Sequence, residues 1–313
     1  MREQFPGRLM GYGLTLAPAS RIRQAPFAER CAHRRGSVTG LDLDRSLRFY
    51  RDVLGFSIRR DLGDAVVLAP GTVTGPAENY EGLLKLVERP GVSRRPLRPR
   101  SAGLYHVAFL VPDRRELGRA LLGLSQLGYP LRGMSDHAVS ESLYLDDPDG
   151  NGVEIYADRP RELWPVIDGI VQMTVDPLDV EGVLAAAGDP KYKWNGLPPD
   201  TVVGHVHFTV SDMERSVAFY RDVIGFDVMM QMPSLTAVSA GGYHHHLNLN
   251  TWAGRNAPPD SDQVAGLISW ELRVPDPRER QRVIQRLSAA ATSADDSGAT
   301  GRDPDGNLVE IVR

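Results

Sequence analysis

Apolar and polar positions alternate along Gly204-His-Val-His-Phe-Thr-Val210, with Val206, Phe208 and Val210 on one side and His205, His207 and Thr209 on the other. That parity belongs to a strand with one face in a core and one face elsewhere. The strand ends near an aspartate suited to capping a helix, and an amphipathic stretch of about ten residues closed by glycine follows. Three short strands come next. This βαβββ pattern occurs four times, starting near Gly36, Gly103, Gly204 and Gly266. The copies repeat words as well as pattern. Phe49-Tyr-Arg-Asp-Val-Leu-Gly-Phe56 returns as Phe219-Tyr-Arg-Asp-Val-Ile-Gly-Phe226. Asp147-Pro-Asp-Gly-Asn-Gly-Val-Glu-Ile-Tyr156 returns as Asp303-Pro-Asp-Gly-Asn-Leu-Val-Glu-Ile-Val312. The Asp-Pro-Asp-Gly runs read as tight turns between the last two strands of modules two and four.

The expected class is therefore α+β: four βαβββ modules, helices outside, curled into two half-barrel cups. Residues 1–34 read as a poorly ordered extension and 35–158 as an N-terminal module pair. Residues 159–201 read as a linker with a helix around Pro177–Ala187, and 202–313 as a C-terminal pair. Strand parity gives the cups a polar lining. His106, Ala108 and Leu110 share the face that matches His205 and His207, and Glu154 and Tyr156 share the face opposite Val153 and Ile155. Two histidines on one strand face need polar partners or a wet surface.

Composition narrows the function. The chain has 313 residues and a net charge of −4, which supplies no electrostatic case for nucleic acid or an anionic membrane. A single cysteine, Cys31, excludes an intrachain disulfide and a cysteine metal site. No apolar run approaches the roughly 18 residues of a membrane helix. The Leu9–Ala19 stretch has a weak signal-peptide look but is interrupted by Gly11, Tyr12 and Gly13, so a cytoplasmic location is expected. No glycine-rich phosphate loop follows a strand, which argues against a nucleotide cofactor. Exposed sheet edges and the linker allow a homo-oligomer.

The four modules, the Phe-Tyr-Arg-Asp-Val-Leu-Gly-Phe segment and the Asp-Pro-Asp-Gly-Asn-x-x-Glu ending resemble the vicinal oxygen chelate superfamily of glyoxalases, drug-resistance proteins and extradiol dioxygenases. Gly103-Leu-Tyr-His-Val-Ala-Phe109, Ser135-Asp-His-Ala-Val-Ser-Glu-Ser-Leu-Tyr144 and Gly241-Gly-Tyr-His-His-His246 look like its four-module catechol 2,3-dioxygenase branch. The resemblance implies Fe(II), or Mn(II), held by two histidines and a glutamate, with a small aromatic diol and O2 as substrates. Such a donor set suits Fe(II) and leaves positions open.

Carried over by motif, the candidate ligands are His106, Glu154, His205 and Glu310. The positions matching His205 in modules one and four are Arg35 and Ser269. Only modules two and three together supply two histidines and a glutamate, so they are expected to share the active cup, with modules one and four a metal-free counterpart. Moving His33 into that position of module one would undo this reasoning. The resemblance also makes His137 and Tyr144 groups that contact substrate, although a strand tyrosine often only packs. It makes His245 or His246 the acid–base histidine, and Asn248 a neutral group near the fourth ligand position. Plainer readings cover the rest. His207 and His244 are outer or surface residues, Glu310 a solvated strand residue, Asp147 and Asp149 turn formers, and Tyr50 and Phe56 core anchors.

The expected function is an extradiol ring-cleaving dioxygenase of aromatic catabolism. The alternatives are a glyoxalase-like isomerase or lyase using Ni, Zn or Mn, and a small-molecule-sequestering resistance protein that needs no metal.

Overall fold

Four copies of one plan follow each other along the chain. The computed structural model describes residues 32–71, 82–96, 98, 100–168, 170–290, 294–295 and 298–312. Module one runs β1 (Ala32–Gly40), α1 (Leu43–Leu47), β2 (Phe56–Asp61), β3 (Ala65–Pro70) and β4 (Leu84–Glu88). Module two runs β5 (Gly103–Leu110), α2 (Arg114–Gln126), β6 (Gly133–Asp136), β7 (Ser140–Asp146) and β8 (Gly152–Asp158). The linker carries β9 (Val166–Ile167), β10 (Ile170–Val171) and α3 (Val180–Ala186). Module three runs β11 (Val202–Thr209), α4 (Met213–Ala218), β12 (Asp227–Gln231), β13 (Leu235–Ser239) and β14 (Leu247–Asn250). Module four runs β15 (Leu267–Arg273), α5 (Pro277–Ala289), β16 (Ala294–Asp295), β17 (Gly298–Arg302) and β18 (Leu308–Val312). Of the extension expected over 1–34, residues 1–31 lie outside the described residues, and Ala32 already belongs to β1. No helix among the described residues is long and apolar enough to cross a membrane.

Local chemistry explains the repetition. Each module's helix begins on an aspartate whose carboxylate accepts a first-turn amide: Asp42 from Arg45, Asp113 from Glu116, Asp212 from Arg215 and Asp276 from Glu279. These caps satisfy donors that the helix itself leaves unpaired. The helices are less uniform than the expected ten residues. They are 13 residues long in modules two and four, whereas α1 and α4 are short and widen into π-helical turns over Arg48–Val53 and Phe219–Ile224. The widened turns are the repeated Phe-Tyr-Arg-Asp-Val segment. Gly55, Gly128 and Gly225 close the helices of modules one, two and three, and that of module four ends at Ala290.

Within each module the first strand pairs in parallel with the last: β1 with β4, β5 with β8, β11 with β14, and β15 with β18. Between modules the partners are not the sequence halves. β5 pairs antiparallel with β11, and β1 pairs antiparallel with β15. Module two thus curls together with module three, and module one with module four, in two half-barrels that a single β1–β11 residue pair, His33 opposite Val203, joins into one 16-stranded sheet. The apolar faces pack under the helices, with Phe56, Phe109, Phe208, Tyr220 and Trp270 buried there.

The modules adjacent in sequence are tied by the Asp-Pro-Asp-Gly turns. Asp147, buried between β7 and β8, accepts the hydroxyl of Tyr50 at 3.1 Å and the amides of Asp149 and Asn151 at 2.8 Å each. Asp149 accepts the Ser46 hydroxyl at 2.6 Å and pairs with Arg45. Asp303 and Asp305 do the same for module three, through Tyr220 at 2.7 Å and through Ser211 and Ser216. These aspartates form their turns as expected, and each also holds the neighbouring module's helix. Burial pushes the Asp147 carboxyl up to about 6 against the opposing hydrogen bonds, which reflects the cost of keeping it dry.

The linker is anchored too. Trp194 donates its indole N–H to the Val53 carbonyl at 2.7 Å, and the Leu197 amide reaches the Leu54 carbonyl at 2.9 Å. Gly55 and Gly196 meet so closely that a Cβ on Gly55 would lie 2.3 Å from the Gly196 Cα. Both have positive φ, so any larger residue there meets a steric and a conformational barrier.

Tyr220→Phe and Tyr50→Phe each leave a buried carboxylate short of one donor. Each is expected to cost about 1–3 kcal/mol, read as a lower urea midpoint at unchanged slope. Midpoints equal to the wild type in both variants would contradict the tying role of the turns.

Candidate metal centre

The site is set by the register of β5 against β11. The regular part of that pairing sets His205 opposite Ala108, Val206 opposite Val107, and His207 opposite His106. It is bounded by two irregularities. One leaves Gly204 as the extra residue of β11, and the other leaves Tyr105 as the extra residue of β5. Each bulged residue is the one directly before a candidate ligand histidine. Bulges add local twist and re-aim the neighbouring side chain. At Gly204 a Cβ would fall 1.9 Å from the Tyr156 hydroxyl oxygen, so glycine makes room for that tyrosine beside His205.

The next strand completes the row. β8 sets Glu154 beside Ala108, and β7 sets Tyr144 beside Glu154. Across one sheet face the order is Tyr144, Glu154, Ala108, His205, with His106 one row away on Ala108's own strand. The methyl of Ala108 is the smallest side chain in this row, and three long polar side chains converge around it. His106 Nε2 lies 2.9 Å from Glu154 Oε2, His205 Nε2 lies 3.1 Å from the same oxygen, and the two Nε2 atoms are 3.3 Å apart. All three residues are buried. Among the described residues this is the one group of three histidine or acidic side chains with ligand atoms close enough to share an ion.

These distances fit a metal. Three bonds of about 2.1 Å at near-right angles place donor atoms about 3 Å apart. The electrostatics fit as well. Burial pushes the Glu154 carboxyl up, but the two imidazoles outweigh it and hold the group well below the usual carboxylate range. Burial holds the His106 imidazole below its ordinary value, although Glu154 opposes this. The centre therefore offers an ionised carboxylate and a lone pair on neutral His106. His205 Nδ1 has no hydrogen-bond partner among the described residues, and its ring is held by packing, 4.8 Å from the Tyr156 ring and 4.2 Å from the His245 ring.

The structure brings most of the other sequence candidates to the same cup. His137 Nδ1 donates to the Thr174 carbonyl at 2.7 Å, which leaves Nε2 to accept the Tyr144 hydroxyl at 2.7 Å. Tyr144 lies 5.6 Å from the His106 ring, and burial, with the Glu154 charge, raises its phenol well above the usual range. A cleft of about 170 Å³ opens beside them, lined by Tyr105, His106, Arg132 and Tyr144 among others.

His245 and His246 divide. They do not lie in module three's last strand, as expected, because β14 begins at Leu247; both sit in the loop after β13. His245 packs on His205 inside the cup. His246 points away, its Nδ1 bonded to the Ser239 hydroxyl at 2.7 Å and its ring stacked on Phe226. A core contact occupies it, so the structure does not bring it to the site.

Neither His207 nor His244 is a surface residue; both are buried. His207 packs 4.8 Å from the His106 ring, but its Nε2 accepts the Asn250 amide at 2.9 Å and so is occupied. Asn248 stands beside His207 in the register that Glu154 has beside Ala108, and its Oδ1 has no partner among the described residues. Sequence reasoning placed Ala108 and Tyr156 on the lining faces without a role and missed the Asp158–His244 contact, at which only the Gly241-Gly-Tyr-His-His-His246 run hinted. In the counterpart pair, β15 and β18 set Glu271 beside Glu310, and the described residues there form no such group. The side chain of His33 lies outside the described residues.

Comparison with known proteins identifies the family. The model of the Glyoxalase/Bleomycin resistance protein/Dioxygenase superfamily matches residues 37–155 and 202–311. The chain belongs to that superfamily, in its four-module catechol 2,3-dioxygenase-like branch. It is 44% identical over 263 residues to the catechol-2,3-dioxygenase of Bacillus subtilis (strain 168), covering 83% of this chain and 88% of the relative. It is 29% identical to biphenyl-2,3-diol 1,2-dioxygenase 2 of Rhodococcus globerulus over 35% of this chain and 58% of that protein. The glyoxalase I structure from Zea mays shares the fold, with a TM-score of 0.53 at 16% identity, over 90% of this chain and 92% of that one.

Ala108→Leu is expected to fill the space among the three donor atoms, whereas Ala108→Gly leaves it open. Metal analysis after loading should find the leucine variant without metal and the glycine variant with it. Equal metal in both, in folded protein, would mean the ion is held elsewhere.

Proposed function

We propose that this enzyme is an Fe(II)-dependent extradiol dioxygenase that opens a catechol-like ring and places both atoms of O2 in the product. The observation that carries the reading is the row Glu154–Ala108–His205 with His106 above it, three donors on one side and proton-handling groups around them. His106, Glu154 and His205 would hold the ion, and the same donors accept Mn(II). When bound, the ion supplies Lewis acidity toward two adjacent substrate oxygens and one-electron chemistry toward O2.

The chain's own groups supply the rest. Burial keeps the His245 imidazole well below its ordinary value, so it enters the reaction neutral and able to take the proton of a catechol hydroxyl. The His137–Tyr144 pair faces the opposite flank of the donor set, and the Tyr144 hydroxyl, turned from His137 Nε2 toward the substrate, would donate to an oxygen that gains negative charge. Tyr105 and Tyr144 give the cleft aromatic walls for a flat ring. The enclosing β5–β11 sheet excludes bulk water from the donors, all of them buried.

The identity to the Bacillus catechol-2,3-dioxygenase supports this over the isomerase and sequestering readings, and so does the number of proton-handling residues around the donors. After iron loading, the protein should consume O2 one for one with catechol and form a yellow ring-opened product. Glu154→Ala and His205→Ala should lose both metal and activity. His245→Ala should keep its metal and lose about 10²–10⁴-fold in kcat. Iron-loaded protein that binds catechol without consuming O2 would favour sequestration, and turnover without O2 would favour an isomerase.

A further inference from the structure

Behind His245 runs a hydrogen-bonded chain that the ring-opening chemistry above does not use. His244 Nε2 lies 2.8 Å from Asp158 Oδ1, and His244 Nδ1 lies 2.7 Å from His245 Nδ1. Both histidines are buried, and Asp158 is partly open to solvent at the end of β8, the strand that carries Glu154. The Tyr243 hydroxyl shares a hydrogen bond with the Tyr156 hydroxyl at 2.9 Å, and its ring lies 4.0 Å from that of His244. At the inner end, His245 Nε2 is buried without a hydrogen-bond partner, on a ring packed 4.2 Å from His205.

The direction of each hydrogen bond follows from the chemistry of its ends. A carboxylate only accepts, so His244 donates Nε2–H to Asp158. With its one ring hydrogen on Nε2, His244 then has a bare Nδ1. Two nitrogens 2.7 Å apart need one hydrogen between them, and His245 Nδ1 must supply it. His245 is left with a bare Nε2 inside the cup. We infer that Asp158 and His244 are positioning residues that lock His245 in the Nδ1–H tautomer, presenting Nε2 as a proton acceptor beside the candidate metal centre. Orientation of a reactive imidazole by the bond on its other nitrogen is a general device, and reversing that bond presents the wrong tautomer.

Asp158→Asn tests this, because the amide can turn its NH2 to His244 and reverse every bond in the chain. The direct readout is long-range ¹H–¹⁵N correlation of the histidines in the full-length metal-free protein, which separates the two neutral tautomers. The wild type should show His245 bare at Nε2. Asp158→Asn should show Nε2–H, and His244→Leu, which removes the partner of Nδ1, should show a mixture. In iron-loaded enzyme, Asp158→Asn should lower kcat on the order of 10²-fold while KM for catechol and metal content stay within about twofold. Asp158→Glu should recover part of the loss.

A wild-type His245 protonated at Nε2 overturns the inference even if no variant folds. So does a tautomer unmoved in both variants, and so does a reversed tautomer with unchanged kcat. The kinetic arm rests on the dioxygenase reading. The tautomer measurement requires no turnover, so a chain inactive on catechol would sink that reading and leave this result standing.

Discussion

The antiparallel pairing of β5 with β11 is the constraint on which the rest of the site depends. It joins residues about a hundred positions apart and sets their side-chain rows to within one residue. A slip of one position would turn His205 and His207 toward the helices and bring valines into the cup. Two features guard the register. The apolar face, with Val107, Val206 and Phe208 buried, would have to be exposed by any such slip. The bulges at Tyr105 and Gly204 limit the regular stretch to three residue pairs, so the ladder cannot slide without displacing an unpaired residue on each strand.

The four modules close a ring of contacts. Modules two and three are joined by β5 and β11, and modules four and one by β15 and β1. Module one is joined to two, and three to four, by aspartate turns that grip the neighbouring helix. The two kinds of joint differ physically. The sheet joints bury apolar faces and satisfy backbone groups, which is cheap per contact. The turn joints bury carboxylates, which is costly unless each oxygen finds a donor. Asp147 and Asp303 find theirs in a tyrosine hydroxyl, an asparagine amide and two backbone amides apiece. That dependence explains why the aspartates and Tyr50 or Tyr220 recur together in the repeated segments.

Much of this is legible in the sequence because it is periodic or repeated. Strand parity puts His106, His205 and Glu154 on polar faces. The absence of a histidine at Ser269 points to modules two and three as partners without any knowledge of contacts. The loops escape such reading. Strand period carries through His245 and His246 on paper, but a turn interrupts it in the fold, and only the turn decides which ring enters the cup. Ala108 escapes for a different reason: a residue that acts by being small leaves no chemical mark. The Asp158–His244 bond joins the end of one module to a loop of the next, and no local pattern encodes such a distance.

The counterpart cup shows what the site requires beyond a carboxylate. Glu310 holds the position in β18 that Glu154 holds in β8, next to the module's first strand. Yet its neighbour in that row is Glu271 where the active cup has Ala108, and the residue two positions earlier is Ser269 where the active cup has His106. A second acidic side chain in the row adds bulk where the active cup has a methyl, and negative charge where it has none. The imidazole is missing as well. The repeat therefore preserves the strand, the turn and the glutamate in both cups, while a few positions along the first strands separate a set of donors from a structural face. In the proposed centre the carboxylate is one donor of three, and the small residue beside it and the imidazoles flanking that gap are what the counterpart row lacks.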